Sequence, residues 1–390
     1  MENLNLDKSS WIKVKFGDVV VEPKETCKDI AAEGIVHVVG LEHIDTGDIH
    51  LRKSATTEES TTFTKKFSKG DVLFGRRRAY LKKAAQAKFD GICSGDITVF
   101  RAQKNLFPEL LPFIVNNDKF FDYAIKHSAG GLSPRVKFKD LANYEFLLPP
   151  KEELAKLAEL LWAMDEVIER EKGSQIKYDV FYKQFLSDSV SSNKTKGWKE
   201  FTFGDLGESF GGLTGKSSKD FGEGSPFINY MNIFKNPKVN PLLVDYVKII
   251  STEKQNEIQF GDILITGSSE TPQEVGMSSV VLDDLKGYYL NSFCFGFRLN
   301  DFETLRPEYA RFLMRGKEVR NFMFKHAQGS TRYNLSKTTV KHKLKIQLPP
   351  LSDQLKIASQ LEFMEKQLED FEHKISTSQS LQKSLINQLF

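Results

Sequence analysis

The side chains with the clearest chemical potential in this sequence are cations. Residues 65–88 hold nine basic side chains, among them Arg76, Arg77, Arg78, Lys82 and Lys83, against the single acid Asp71, with Phe74 and Tyr80 interleaved. Residues 311–345 hold ten basic side chains against one acid, Glu318, with Tyr333 and Asn334 beside Arg332. Lysine and arginine gain affinity for a nucleic-acid backbone by displacing its counterions, so both strips suit phosphate contact. A single charge run is usually a solvated face; two runs in one chain favour the phosphate reading. Short polar side chains gather with glycine in three stretches: 211–218, with Lys216, Ser217 and Ser218; 266–269, with Ser268 and Ser269; and 328–334, with Arg332 and Asn334. Hydroxyls and amides near arginine suit base edges and phosphates. They equally suit any surface loop.

Covalent chemistry is harder to place. Residues 211–217 read G-x-x-x-G-K-S, one residue short of the phosphate-binding loop, with Phe210 five positions before Gly215. The shorter loop lacks backbone N–H groups needed to wrap a phosphate chain. Asp18, Glu22 and Lys24 carry the letters of a metal-dependent nuclease, yet the later copy of this stretch keeps Asp205 without a Glu-x-Lys partner. Gly17-Asp18 and Gly204-Asp205 are therefore expected to form turns. Both Pro-Pro pairs follow leucine, which leaves no amino-methyltransferase signature. The seven histidines show no H-E-x-x-H or H-x-H spacing, and no G-x-S-x-G elbow is present. Cys27, Cys93 and Cys294 stand too far apart for a zinc quartet or a disulfide framework, which fits a reducing compartment. No catalytic residue and no metal site is assigned.

The elements that position these residues come in two copies. Trp11 to Asp18 recurs 187 residues later as Trp198 to Asp205, Gly70-Asp71-Val72-Leu73 recurs 191 later as Gly261-Asp262-Ile263-Leu264, and Leu148-Pro149-Pro150 recurs 200 later as Leu348-Pro349-Pro350. Preserved order with growing offset is what loop insertions produce in a duplicated unit. At 390 residues the chain has room for two or three domains. Its net charge of +3 divides unevenly: residues 1–150 carry 23 basic and 20 acidic side chains and residues 198–350 carry 20 and 17, whereas 151–197 carry 8 and 9 and 351–390 carry 4 and 6. Upstream of each Leu-Pro-Pro, short apolar runs such as 35–39, 71–74, 262–265 and 279–282 read as strands, with helices near 106–127 and 307–326. Downstream, Leu157, Leu161, Met164 and Ile168, and likewise Leu361, Met364, Leu368 and Phe371, fall on narrow 4-3 spaced stripes. Such a stripe needs an apolar partner, most simply the other helix.

The reading is an α+β chain of two mixed α/β bodies separated by two long antiparallel coiled-coil helices, with a pseudo-two-fold internal repeat. Its expected parts are 1–150 (first recognition domain), 151–197 (first spacer helix), 198–350 (second recognition domain) and 351–390 (second spacer helix). Residues 1–10 are polar with no apolar h-region, and no stretch approaches about 18 apolar residues, so a cytoplasmic protein without a membrane segment is expected. A duplicated basic binder without a catalytic set points to double-stranded DNA read in two separated patches.

This arrangement resembles the specificity (S) subunits of type I restriction–modification systems over essentially the whole chain. The resemblance is carried by the repeated Trp…Phe-Gly-Asp openings, the Gly-Asp-Val/Ile-Leu strands, and the unit ending from Gly329-Ser330-Thr331-Arg332-Tyr333-Asn334 to Leu348-Pro349-Pro350 and on to Gln354. The first copy departs by having Leu154 where Gln354 stands. The resemblance implies two target recognition domains, each reading half of a bipartite DNA site, and no catalysis in this chain. It implies two methyltransferase (M) subunits docked on the helices and restriction (R) subunits joining them, with S-adenosylmethionine, ATP and magnesium belonging to those partners. A recognition subunit of a combined nuclease–methyltransferase of another type, and a stand-alone DNA-binding regulator, are the competing readings.

Overall fold

The computed structural model describes residues 7–57, 62–191 and 197–390. Residues 1–6 of the polar N-terminus and 192–196 of the expected first spacer helix lie outside them. The chain divides into two compact units, Met1–Gly173 with Phe371–Phe390, and Ser174–Asp370.

In unit 1 the opening strand Ile12–Lys15 pairs antiparallel with Glu145–Leu148, joining the ends of the mixed body. A four-stranded antiparallel sheet runs in the order Val20–Val21, Ile97–Ala102, Val72–Gly75, Ala84–Gln86. A second sheet has Ala55–Thr56, His37–Val39, Gly91–Cys93 and Lys65–Phe67, with a parallel pair at its centre. Phe16, Phe74, Phe100 and Phe120, all fully buried, pack as a ring cluster with centroids 4.9 to 6.2 Å apart. Offset and edge-on aromatic pairs of this kind add to the burial of the rings themselves.

Unit 2 repeats the plan. Lys199–Thr202 pairs with Lys345–Leu348. The antiparallel sheet runs Gly207–Gly211, Cys294–Leu299, Ile263–Thr266, Ser278–Val280, the same order of equivalent strands. The second sheet has Val244–Val247, Phe221–Ile228 and Tyr289–Leu290, again with one parallel pair.

The repeated Gly-Asp turns have one job in both units. Gly70 and Gly261 sit at φ of +93° and +88°, a conformation that costs a residue with a Cβ. Each following aspartate is buried and receives a forked guanidinium from the neighbouring strand: Arg101 to Asp71 at 2.7 and 2.7 Å, Arg298 to Asp262 at 2.9 and 2.7 Å. Burial nonetheless pushes the Asp262 carboxyl above its ordinary value against the pull of Arg298. Asp18 and Asp205 close the expected turns by accepting from the backbone of Lys15 and Thr202.

The two expected mid-body helices are each broken. Leu111–Val115 and Asp118–Lys126 are separated because Asn117 caps the second, accepting from Lys119 N–H, while the buried Asn116 amide donates to the Ala84 and Pro112 carbonyls. Pro307–Leu313 and Lys317–His326 are separated at Gly316, where a Cβ would come within 2.7 Å of Val190.

Each Pro-Pro pair opens a long helix, Lys151–Val190 and Leu351–Leu389, roughly 60 Å at 1.5 Å per residue. Both contribute to both units. In unit 1, Leu161 is fully buried in one core with Leu385, Ile386 and Leu389, and Leu157 and Met164 pack against it. Asp118 also fastens the tail there: Lys383 pairs with it at 3.0 Å and the Asn387 amide donates to it at 2.6 Å. In unit 2, Leu361 is fully buried in a core that takes in Val190, with Tyr182, Phe185 and Leu186 packed against it. The Tyr182 hydroxyl donates to Glu365, and Tyr309 donates to the Ser189 carbonyl. Ile168 and Met364 are buried; Leu368 and Phe371 are half-buried. Each stripe therefore meets globular core as well as helix.

Candidate nucleic-acid interface

In unit 1 the strand Val72–Gly75 runs directly into Arg76, Arg77 and Arg78. Opposite them lies the loop 129–136. Arg77 and Arg135 form an antiparallel bridge, Arg78 N–H donates to the Pro134 carbonyl at 2.8 Å, and Val136 N–H donates to the Arg76 carbonyl at 3.0 Å. Asp96 lies at the join. It accepts from Arg77 Nη1 at 3.1 Å and from Arg135 Nε at 2.7 Å, and Arg77 Nη2 donates to Ser133. Burial raises the Asp96 carboxyl, but hydrogen bonds from Arg135 and Arg77 outweigh it and hold the group below its ordinary value. Arg78 and Lys82 flank a turn of 3-10 helix with φ of +54° and +49°, which is uncommon for residues bearing a Cβ. Lys82 is fastened to Asp118 at 2.8 Å and Lys83 to the Leu41 carbonyl at 2.7 Å, so the ends of these two lysines hold the loop in place. Arg78 and Tyr80, ahead of them in the turn, are exposed.

Unit 2 builds the same junction from different side chains. The strand Ile263–Thr266 leads into Ser268 and Ser269, which pair in register with Asn334 and Tyr333. Residues more than sixty positions apart in sequence thus meet on one two-stranded ladder. Arg332 lies over Phe293, its Cζ 4.8 Å from the ring centre. A cleft of about 560 Å³ opens beside them, walled by Tyr230, Met231 and Phe234 and edged by Glu270, Glu274 and Thr331. The Ser268 hydroxyl is buried on this cleft with no partner among the described residues, and Ser269 donates to Glu274 at 3.1 Å.

The 211–218 stretch stands apart from this junction in its bonding. Lys216 is buried to its end, pairs with Glu253 and donates to the Lys248 carbonyl. The Ser217 N–H and hydroxyl both donate to Asp220 across the turn Ser218–Asp220.

The strip 311–345, expected to be one phosphate-facing surface, is corrected by the structure. Arg311 is buried against Glu365 at 2.9 Å; Arg315 donates to the carbonyls of Ser278, Ile233 and Phe234; Arg320 donates to those of Gln273 and Val275. Burial and the neighbouring charge of Arg320 bring Arg315 down to about 10. Lys341 and Lys345 are taken by Glu208 and Glu200. These side chains use their length to satisfy backbone carbonyls and carboxylates, which a count of charges cannot reveal. Arg135, in turn, was not singled out by the sequence. It sits 199 residues before Asn334 in a loop of matching register, Ala129 bridging Arg135 as Gln328 bridges Asn334, and that alignment was the signal available.

Among the described residues no group of three or more His, Cys, Asp or Glu side chains is placed to hold a metal ion, and no helix is long and apolar enough to cross a membrane. The family described as Type I restriction modification DNA specificity domain matches residues 8–178 and again residues 195–378. The chain belongs to that family. Its two matches each enclose one copy of the sheet and loop junction just described. A curated relative, the Type I restriction enzyme EcoDI specificity subunit of Escherichia coli, is 21% identical over 197 residues, which is 49% of this chain and 44% of the relative. The alignment thus spans less than half of that protein. Three solved structures share the fold across nearly the whole chain. One comes from a study of complex assembly and conformational transition of the type I R-M system, with TM-score 0.63, 20% identity and coverage of 98% of this chain and 96% of that one. The HsdS subunit from Thermoanaerobacter tengcongensis matches at TM-score 0.53, 19% identity, 98% and 97% coverage. The type I S subunit from M. genitalium matches at TM-score 0.55, 13% identity, 100% and 98% coverage.

Proposed function

We propose that this specificity-family chain is the DNA-reading subunit of a type I restriction–modification complex, each unit reading one half of a bipartite duplex target. One observation carries the reading: the same junction of sheet end and glycine-rich loop is built twice, each time gathering arginine with short polar side chains. Arg76, Arg77 and Arg78 position the first domain on phosphates. Ser268, Ser269, Arg332 and Asn334 contact the second half-site, with Ser218 at the edge of unit 2, while Lys82, Lys83, Lys216 and Ser217 shape the loops that carry these contacts. Catalysis belongs to partners: methyltransferase subunits supplied with S-adenosylmethionine, and restriction subunits using ATP and magnesium. Ile176, Val180 and Phe181, each about 60% exposed on one turn and a half of the first long helix, support methyltransferase docking there, since three large apolar side chains so close together are otherwise a liability in water. The mixed body 1–150, helix 151–197, body 198–350 and helix 351–390 are the proposed functional divisions.

The test is duplex binding by the full chain with its co-encoded methyltransferase, across a range of salt. Changing Arg76, Arg77 and Arg78 together to alanine should weaken binding on all sequences and flatten the dependence of log affinity on log salt by up to about three phosphate contacts. An unchanged affinity and slope would remove phosphate positioning from these residues.

A further inference from the structure

Two arginines at the repeated junctions, Arg135 and Arg332, each rest on a support that leaves the far edge of the guanidinium open. Arg135 commits only its Nε, to Asp96 at 2.7 Å, and its terminal amino groups have no partner among the described residues. Arg77, by contrast, spends Nη1 on Asp96 and Nη2 on Ser133. Arg332 makes no hydrogen bond through its guanidinium among the described residues and rests on the face of Phe293. Both are exposed residues.

The residues beneath them occupy one equivalent place. Asp96 immediately precedes the strand Ile97–Ala102, and Phe293 immediately precedes Cys294–Leu299, its counterpart in the second sheet. A carboxylate at that place fixes a guanidinium by a charge-assisted hydrogen bond to Nε; an aromatic ring fixes one by its face. Either way the two terminal amino groups stay free and coplanar. That fork is what guanine O6 and N7 accept in the major groove.

We propose that Arg135 and Arg332 each read a guanine in the half-site of their own unit, and that Asp96 and Phe293 are the positioning residues that aim them. The proposal rests on the functional reading above and adds to it the residues that discriminate and the base they take. It also separates roles at the first junction: Arg77, held by Asp96 and Ser133, meets phosphate through its remaining N–H groups, and Arg135 is the reader.

The experiment is selection from a duplex library with randomised positions by the full chain in complex with its methyltransferase, comparing R135A, R135K, R332A, D96N, F293A and F293Y with the unaltered complex. R135A should relax one G·C position in one half by about 5- to 150-fold while the other half is selected as before, and R332A should do the same in the opposite half. D96N should relax the position that R135A relaxes, F293A the position that R332A relaxes, and F293Y should keep it. R135K should weaken the preference, because lysine has no Nε for Asp96 to hold and no planar fork to aim. Intact selection of the other half shows in each case that the variant is folded. A uniform loss across all sequences with R135A or R332A, full preference retained by R135K, or relaxation at different positions by D96N and R135A would each overturn the proposal. An unaltered complex that selects no two-part sequence would overturn the functional reading itself, whereas clear two-part selection left unmoved by both R135A and R332A would overturn this inference alone.

Discussion

Unit 1 and unit 2 build one sheet by one rule and then finish it differently. Both lock the Gly-Asp turn with a forked arginine, both run the next strand into a polar loop, and both face that loop with a second one seven or eight residues long. At the place before the last sheet strand they diverge: Asp96 gathers two arginines by charge, whereas Phe293 supports one by its ring and leaves a cleft beside it. The scaffold is thus under the same packing demand in both copies, while the side chains on its rim are free to differ. That separation suits the proposed reading of two different half-sites.

The comparison can be broken hardest at what the units share. Arg101→Ala and Arg298→Ala each leave a buried aspartate without its partner, and each should cost about 3 kcal/mol, confined to its own unit as read by amide hydrogen exchange. A loss spread evenly over both units would contradict their independence as packed bodies. Next come the first turns of the two long helices. Gln354 is buried with every polar atom used, donating to the Thr304 and Pro349 carbonyls and accepting from Arg306 N–H, while Leu154 at the matching place is apolar core. Leu154→Gln should cost about 2 to 3 kcal/mol because no partners await the amide, and Gln354→Leu about 1 to 2 kcal/mol, in thermal unfolding. If Leu154→Gln is neutral, the two helix starts are not built on different principles.

A finer contrast lies in the glycines of the two Gly-Asp turns. Gly70→Ala meets nothing within 4 Å and should cost about 1 kcal/mol for its backbone alone; Gly261→Ala would also meet the Phe302 ring at 2.5 Å and should cost at least about 1 kcal/mol more in denaturant titration. The smallest effect is one of pH. Burial works against the charge of Glu169, yet hydrogen bonds from Arg52 and Lys172 bring its carboxyl down to about 2. A depressed carboxylate stabilises the fold above its unfolded value near 4.3 and loses that contribution as pH falls from about 4 towards 2. Glu169→Gln should abolish that share of the acid sensitivity of unit 1 and leave unit 2 untouched.

Much of this was legible in the sequence. The duplication and the helix starts after each Leu-Pro-Pro are local patterns, and the strands at Val72–Gly75 and Ile263–Thr266 follow from short apolar runs after a Gly-Asp turn. What stayed hidden depends on pairing across distance. Asp71 does not announce Arg101, nor Asp96 the pair Arg77 and Arg135, because long stretches of chain and a strand crossing separate the partners. Charge density misled for the same reason: Arg311, Arg315 and Arg320 raise the local count but turn inward to carboxylates and carbonyls, whereas the lone Arg135 in a loop of small residues points out. Density along a sequence reports how many cations there are; only the fold reports which ends are free.

The most direct test of the account is sequencing of modified bases in DNA exposed to the methyltransferase subunit proposed as this chain's partner, with the chain present and with it omitted. Methylation at one two-part motif with a fixed gap, lost when the chain is left out, is the predicted result. Methylation that persists at the same sites without the chain, or sequence-specific DNA binding by a chain that engages no methyltransferase, would contradict it.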